Sequence, residues 1–318
     1  MSDPQAPAAP GGTGPVSGPA GPAARQPVRL AASLDGPPDA PVLVLGNSLG
    51  STRELWEPQL PVLGEHFRLL RYEHRGHGGS PAPPGPYTIA ELGADVLRLL
   101  DDFGVEHASY CGVSLGGMVG MWLAANVPER IDVLGLCCTS ARFPDTGLWV
   151  ARAAAVRADG LPPISAQVVS RWFTPAFATR FPSVPAAFIA TLDGVDPEGY
   201  AGCCEAIAGM DLRPALAGIT APTLVISGSD DPSTPPWHGA VIAQGIARSR
   251  LAVIRGAAHL ANVSAPAEVT AALSAHLLSM APLAGAEVRG TGMKPGPAGA
   301  EAPAPVSGWG AGGGGPAG

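Results

Sequence analysis

The sequence has little lysine, little charge and few cysteines. Lys294 is the only lysine, charged residues make up 14% of the 318 positions, and aromatics 5%. The formal net charge is −7 and no basic tract occurs. That argues against a nucleic-acid partner, because phosphate backbones are gripped by clustered Lys and Arg. An anionic surface is also repelled by an anionic membrane. No apolar run approaches the roughly 18 residues that a membrane-spanning helix needs. Met1 to Arg25 lacks both a basic start and an apolar core, so it does not read as a signal peptide, and a cytoplasmic location is expected. The five cysteines, Cys111, Cys137, Cys138, Cys203 and Cys204, are odd in number, form two adjacent pairs and contain no CxxC. Reduced thiols fit that pattern better than a disulfide framework or a zinc site.

Glycine and proline are abundant instead, 43 and 36 residues, a quarter of the chain. The excess is partly concentrated at the ends. Residues 1–25 and 283–318 carry too few large apolar side chains to offset the entropy of ordering, and are expected to be disordered. The segment between them is regularly patterned, and hydrophobic residues at 46% of the chain suffice for a large core.

Val28–Leu34 alternates and ends at Asp35-Gly36, a hairpin turn signal. Val42–Leu45 is a continuous apolar run, as in a strand buried on both faces. A short helix follows at Trp56–Leu63 and a strand at Phe67–Tyr72. Thr88 and Glu91 form a capping box before the apolar stripe Leu92, Val96, Leu99 and Leu100. Strand Ala108–Val113, helix Leu115–Asn126 and strand Ile131–Cys138 continue the rhythm. It lapses between residues 143 and 210, a helix-rich stretch holding Trp149, Trp172, Phe173 and Phe188. It resumes with strand Thr223–Ser227, helix Trp237–Ile246, strand Leu251–Ile254 and helix Pro266–Leu278. Strand–helix alternation implies a mostly parallel sheet with right-handed crossovers. Residues 26–142 and 211–282 would form that core. Residues 143–210 would form a helical lid over the sheet's C-terminal edge, where open α/β folds bind ligands.

The strongest chemical signal is Gly112-Val113-Ser114-Leu115-Gly116, between a strand and a helix. That is the setting of a nucleophile elbow, which exposes a serine Oγ at a helix N-terminus. A serine needs a base, and the base needs an orienting carboxylate. Strand Thr223–Ser227 runs into Gly228-Ser229-Asp230-Asp231, so the acid is Asp230 or Asp231. The usual two-residue gap after the glycine favours Asp231 and leaves Asp230 to cap the loop. His259, in Gly256-Ala257-Ala258-His259, follows the last strand. An oxyanion hole needs two amides: Leu115, after the nucleophile, and Leu49, in the loop Gly46-Asn47-Ser48-Leu49-Gly50. Glu73, His74 and His77 sit on a glycine-rich turn with no helix to present them together, which argues against a metal site. Arg75 is expected to brace that loop. His66, His107, His238 and His276 are expected to be surface or capping residues.

These motifs together, with Arg75-Gly76-His77-Gly78-Gly79-Ser80, resemble the α/β-hydrolase fold. More narrowly, GNSLGSTRELWEPQLPVL, the stretch from Leu69 to Ile131 and TLVISGSDDPSTPP resemble 3-oxoadipate enol-lactonases of aromatic catabolism. Asn47-Ser48 stands where many hydrolases have His-Gly and is similar to the lactonase version. Ser264-Ala265-Pro266 departs from the Glu-Pro often found after the histidine loop. The resemblance implies a serine hydrolase that opens an enol-lactone through Ser114, Asp231 and His259, without metal or organic cofactor. Its partner would be a small anionic lactone, and its state a monomer or small homo-oligomer. A substrate carboxylate needs a cation, for which Arg53, Arg142 and Arg152 are candidates. The resemblance points to the lid near Trp149, with Ser48 and Arg152 as further contacts. The scaffold also serves esterases, cofactor-free haloperoxidases and non-catalytic ligand-binding proteins. An intact Ser, Asp and His argues against the last.

Overall fold

The computed structural model describes residues 26–280. The expectations for the two ends, 1–25 and 283–318, lie outside the described residues. The strands are β1 (Ala32–Asp35), β2 (Val42–Gly46), β3 (Arg68–Tyr72), β4 (Ala108–Val113), β5 (Ile131–Cys137), β6 (Thr223–Gly228) and β7 (Ser249–Ile254). They form one sheet in the order β1-β3-β2-β4-β5-β6-β7. Every neighbouring pair is parallel except β1 with β3. This is the α/β fold anticipated from the alternation.

The most apolar strands lie at the centre, where helices cover both faces. Every residue of β4 and β6 is buried, whereas edge strand β7 alternates between half-buried and exposed. The hairpin expected at Asp35-Gly36 does not form. Gly36 does turn the chain with a φ of 109°, and a Cβ there would lie 2.7 Å from the Phe67 carbonyl oxygen. Yet β1 pairs with β3, not with β2. The apolar β2 needs covered neighbours on both edges, while the half-exposed β1 tolerates the rim.

The first helical turns are a 3₁₀ helix, Arg53–Gln59, running into α1 (Leu60–Leu63), where a single short helix was expected. Helix α2 (Ile89–Asp102) opens on the complete Thr88–Glu91 capping box and buries Leu92, Val96, Leu99 and Leu100. Helix α3 (Leu115–Asn126) is apolar on nearly all sides and lies buried behind the elbow. Five helices separate β5 from β6: α4 (Gly147–Asp159), α5 (Pro162–Val169), α6 (Pro175–Arg180), α7 (Ser183–Asp193) and α8 (Pro197–Gly209). The core closes with α9 (Pro236–Gly245), α10 (Ala261–Ser264) and α11 (Pro266–Met280).

The inserted helices are fastened to the loops at the sheet's C-terminal edge. Within the insertion, Arg157 on α4 ties to Glu198 and Glu205 on α8 at 2.7 and 2.6 Å. Asp196 N–H donates to the Gly76 carbonyl at 3.0 Å, and Gly199 packs so close to Gly76 that a Cβ on it would lie 2.4 Å from the Gly76 Cα. Leu260 N–H donates to the Trp172 carbonyl at 3.0 Å. The five cysteines are buried and free. No helix among the described residues is long and apolar enough to cross a membrane.

Candidate active site

Register places the two site-bearing loops side by side. Gly46, ending β2, pairs with Gly112 near the end of β4. Ser114 then adopts φ 53° and ψ −112°, a conformation that a non-glycine residue holds only when its surroundings enforce it. The enforcement is visible. Ser114 N–H donates to the Cys137 carbonyl at 2.9 Å, and its own carbonyl accepts from Thr139 Oγ1 at 2.7 Å. The flanking glycines are required by space: a Cβ on Gly112 would lie 2.3 Å from the Gly116 carbonyl carbon, and one on Gly116 would lie 2.5 Å from that of Gly46. Helix α3 begins at Leu115, so its positive end faces the serine.

Asp231 and His259 meet as the chain order suggests. His259 Nδ1 lies 2.8 Å from Asp231 Oδ2, and both side chains are buried. Thr234 Oγ1 donates to the same oxygen at 2.7 Å. Oδ1 accepts from Ser233 N–H at 2.7 Å and Thr234 N–H at 3.0 Å. Burial opposes the charge of Asp231, but His259 and the donated hydrogen bonds outweigh it and hold the carboxyl at about 2. The loop-capping role expected of Asp230 belongs to Asp231 as well. Asp230 is exposed, and its neighbour's second oxygen takes the loop amides.

Ser114 and His259 line one cavity of about 280 Å³, together with Ser48, Leu49, Trp149 and Arg152. Leu115 is buried at the elbow beside it. Neither the Leu49 nor the Leu115 amide has a hydrogen-bond partner within the described residues. Of the three arginines weighed for an anion, Arg152 lies here, 4.9 Å over the Trp149 ring. Arg53 and Arg142 do not line the cavity. Arg53 is drawn to Glu54 and Glu73, and Arg142 faces a neighbouring pocket beside Asp211.

Several lining residues escaped the sequence reading, Arg171 and Tyr200 among them. Arg171 donates to the Pro232 carbonyl at 2.7 Å, so it ties the inserted helices to the acid loop while lining the cavity. Tyr200 is fully buried, with its hydroxyl beside the Arg152 guanidinium. Burial pushes this phenol's pKa up, and the adjacent Arg152 guanidinium works in the opposite direction. A tyrosine on a helix buried on most sides gives no sign of which cavity its hydroxyl will face.

The remaining histidines divide. His66 and His107 are exposed, as expected, and His107 pairs with Asp132 at 2.7 Å. His238 and His276 are buried, contrary to expectation. His238 Nδ1 lies 2.6 Å from Ser140 Oγ, and His276 Nε2 lies 3.2 Å from the Leu134 and Pro222 carbonyls. Each reaches inward because a polar partner awaits it across the fold. His74 Nε2 and both nitrogens of His77 are spent on backbone groups. No cluster of three or more metal-ligating side chains occurs among the described residues. Arg75 is buried against Asp95, at 2.5 and 2.8 Å, so it braces the loop onto α2.

The sheet order, the elbow and the His–Asp pair define a class. A family model described as the alpha/beta hydrolase fold matches residues 41–197. The 3-oxoadipate enol-lactonase 2 of Acinetobacter baylyi is 40% identical over 241 residues, covering 76% of this chain and 90% of that protein. The 3-oxoadipate enol-lactonase 1 of the same organism is 36% identical over 242 residues, again covering 76% and 90%. The crystal structure of the enol-lactonase from Burkholderia xenovorans LB400 superposes with a TM-score of 0.77 at 42% identity, over 78% of this chain and 96% of that one. The chain belongs to the α/β-hydrolase fold family and is a hydrolase of the enol-lactonase type.

Proposed function

We propose that the protein opens 3-oxoadipate enol-lactone to 3-oxoadipate by way of an acyl-enzyme on Ser114. His259 Nε2 takes the Oγ proton as the hydroxyl attacks the lactone carbonyl. Asp231, holding Nδ1–H, fixes the tautomer and stabilises the imidazolium. The Leu49 and Leu115 amides receive the developing oxyanion. Loss of one such donor costs about 100- to 1,000-fold in rate. The carbonyl–oxygen bond of the ring breaks, and the leaving enolate takes the proton from His259 and tautomerises to the ketone. Water, deprotonated by the same imidazole, then releases Ser114.

The observation that carries this reading is the strained Ser114 lining the same cavity as a His259 already bonded to Asp231. The substrate's charge is supported by the cavity's own composition. Arg152 and Arg171 stand there against Asp145, in a chain whose net charge is −7. Arg152 is the cation for the carboxylate arm, with Trp149 and Ser48 at the walls. Tyr200 supplies the second donor, its buried hydroxyl beside Arg152 in the lining of the same cavity.

The test follows enol-lactone loss by its ultraviolet absorbance for wild type and Ser114→Ala, with p-nitrophenyl acetate as comparison. Lactone turnover by wild type alone, well above its ester rate, is expected. A silent lactone with good ester turnover would retain the serine chemistry and discard the substrate. Undiminished turnover by Ser114→Ala would discard the mechanism.

A further inference from the structure

The loop from Gly46 to Ser51 carries an amide assigned above to the oxyanion, yet the sequence offers nothing obvious to hold that loop still. Three sets of hydrogen bonds do so. The Ser48 carbonyl accepts from Ser51 N–H at 3.1 Å and from Ser51 Oγ at 2.9 Å. In a planar trans peptide, the carbonyl and the following N–H point in opposite directions. Drawing the Ser48 oxygen inward therefore turns the Leu49 N–H outward, and Ser48 and Leu49 are both cavity-lining residues.

The next peptide unit is held in the opposite sense. Gly50 N–H donates to His77 Nε2 at 2.9 Å. His77 Nδ1 lies 2.9 Å from the Arg75 carbonyl, an acceptor only, so Nδ1 carries the proton and Nε2 the lone pair. Both nitrogens of this fully buried ring are thus committed to backbone groups. Gly50 itself has a φ of 81°, and a Cβ on it would lie 2.6 Å from Leu192 Cδ1, so the turn accepts only glycine. At the loop's start, the Asn47 carbonyl accepts from Gly116 N–H at 2.9 Å and lies 3.0 Å from His74 Nε2. One carbonyl thereby joins the Leu49 loop to the first turn of α3, which carries Leu115. Burial pushes the pKa of His74 down to about 3 and that of His77 to about 4, so both rings stay neutral, which the bond from Gly50 N–H to His77 Nε2 requires.

We infer that Ser51 and His77 are positioning residues for catalysis: they orient two successive peptide units so that the Leu49 amide meets the oxyanion. This rests on the oxyanion role proposed for Leu49. Neither side chain lines the cavity, so each acts through backbone and not by touching substrate.

The test measures kcat and KM separately for enol-lactone in His77→Leu, His77→Gln, Ser51→Ala and Ser114→Ala, with thermal melts to show that each variant folds. His77→Leu has no acceptor for Gly50 N–H and should lose roughly 10- to 100-fold in kcat, with KM within about twofold, since the oxyanion exists only in the transition state. His77→Gln offers an amide oxygen to that N–H and should recover most of the loss. Ser51→Ala keeps one of two bonds to the Ser48 carbonyl and should lose roughly three- to tenfold in kcat. Folded His77→Leu and Ser51→Ala with kcat within twofold of wild type would overturn the inference, as would a rise in KM at constant kcat. Should His77→Leu fail to fold, an unchanged kcat in Ser51→Ala overturns it alone. Activity surviving in Ser114→Ala is a separate result, which removes the underlying serine mechanism.

Discussion

Replacing Gly116 with alanine should damage activity far more than one methyl group suggests. The added Cβ would lie 2.5 Å from the carbonyl carbon and oxygen of Gly46 and 3.0 Å from Asn47 N. Carbon atoms rest at about 3.5–4.0 Å, so the end of β2 must retreat by roughly 1 Å. Gly116 N–H now donates to the Asn47 carbonyl at 2.9 Å. The same retreat stretches that bond to about 3.9 Å, beyond hydrogen-bonding range. Overpacking of this kind costs about 1–3 kcal/mol, and the lost bond about 1 kcal/mol more. The larger effect is catalytic. Leu49 lies two residues beyond Asn47 and moves with it, so the proposed oxyanion donor is displaced and kcat should fall about 100- to 1,000-fold. Melting temperature and enol-lactone turnover should be measured beside Gly209→Ala, at the end of α8, where a Cβ would meet nothing within 4 Å. That control should match wild type. A folded Gly116→Ala with kcat within threefold of wild type would refute the reasoning.

Asp231→Asn keeps an oxygen for the Ser233 and Thr234 amides but loses the carboxylate that orients His259. Turnover should fall about 10,000-fold with the fold intact by circular dichroism, and a loss under tenfold would refute the role. Tyr200→Phe should lower kcat/KM for the carboxylate-bearing lactone roughly tenfold or more while p-nitrophenyl acetate is unaffected, and equal effects on both would remove the proposed contact. Glu73 is buried beside Asn47, and burial lifts its carboxyl from 4.5 to about 7 despite the N–H that Arg53 donates. Between these values the folded state keeps a proton that the unfolded chain releases, so stability contributed at this site falls as pH rises, and the cost is complete above pH 7. Urea unfolding at several pH values should show a shallower decline in Glu73→Gln, and an unchanged decline would contradict it.

The local signals were sufficient for much of this molecule. Strand β4 and helix α3 lie where the hydrophobic pattern places them, because a buried parallel strand and its covering helix are largely apolar. The Thr88 capping box is a contact between residues three apart, which sequence displays directly. The elbow was legible because its Gly-x-Ser-x-Gly spacing falls within five residues, although the strand end that Gly116 makes room for, at Gly46, lies far away in the chain. What stayed hidden depends on residues far apart in the chain. His276 turns inward toward the Leu134 carbonyl, and Arg171 toward Pro232, for reasons no window of sequence contains. Tyr200 and Phe188 look alike in helical spacing, yet only the tyrosine lines the cavity. The Asp35-Gly36 turn was visible, but not that β3 would take the place beside β1. His74 and His77 showed their number and not their task, since backbone partners leave no trace in residue identity.

The central claim is that Ser114 is the nucleophile, and covalent labelling tests it most directly. The protein would be titrated with a fluorophosphonate, with lactone turnover followed in parallel and the adduct located by peptide mass spectrometry. The account predicts one adduct per chain, on the peptide containing Ser114, with activity lost in proportion to labelling. Full turnover in protein labelled at Ser114, or inactivation with Ser114 unlabelled, would contradict it.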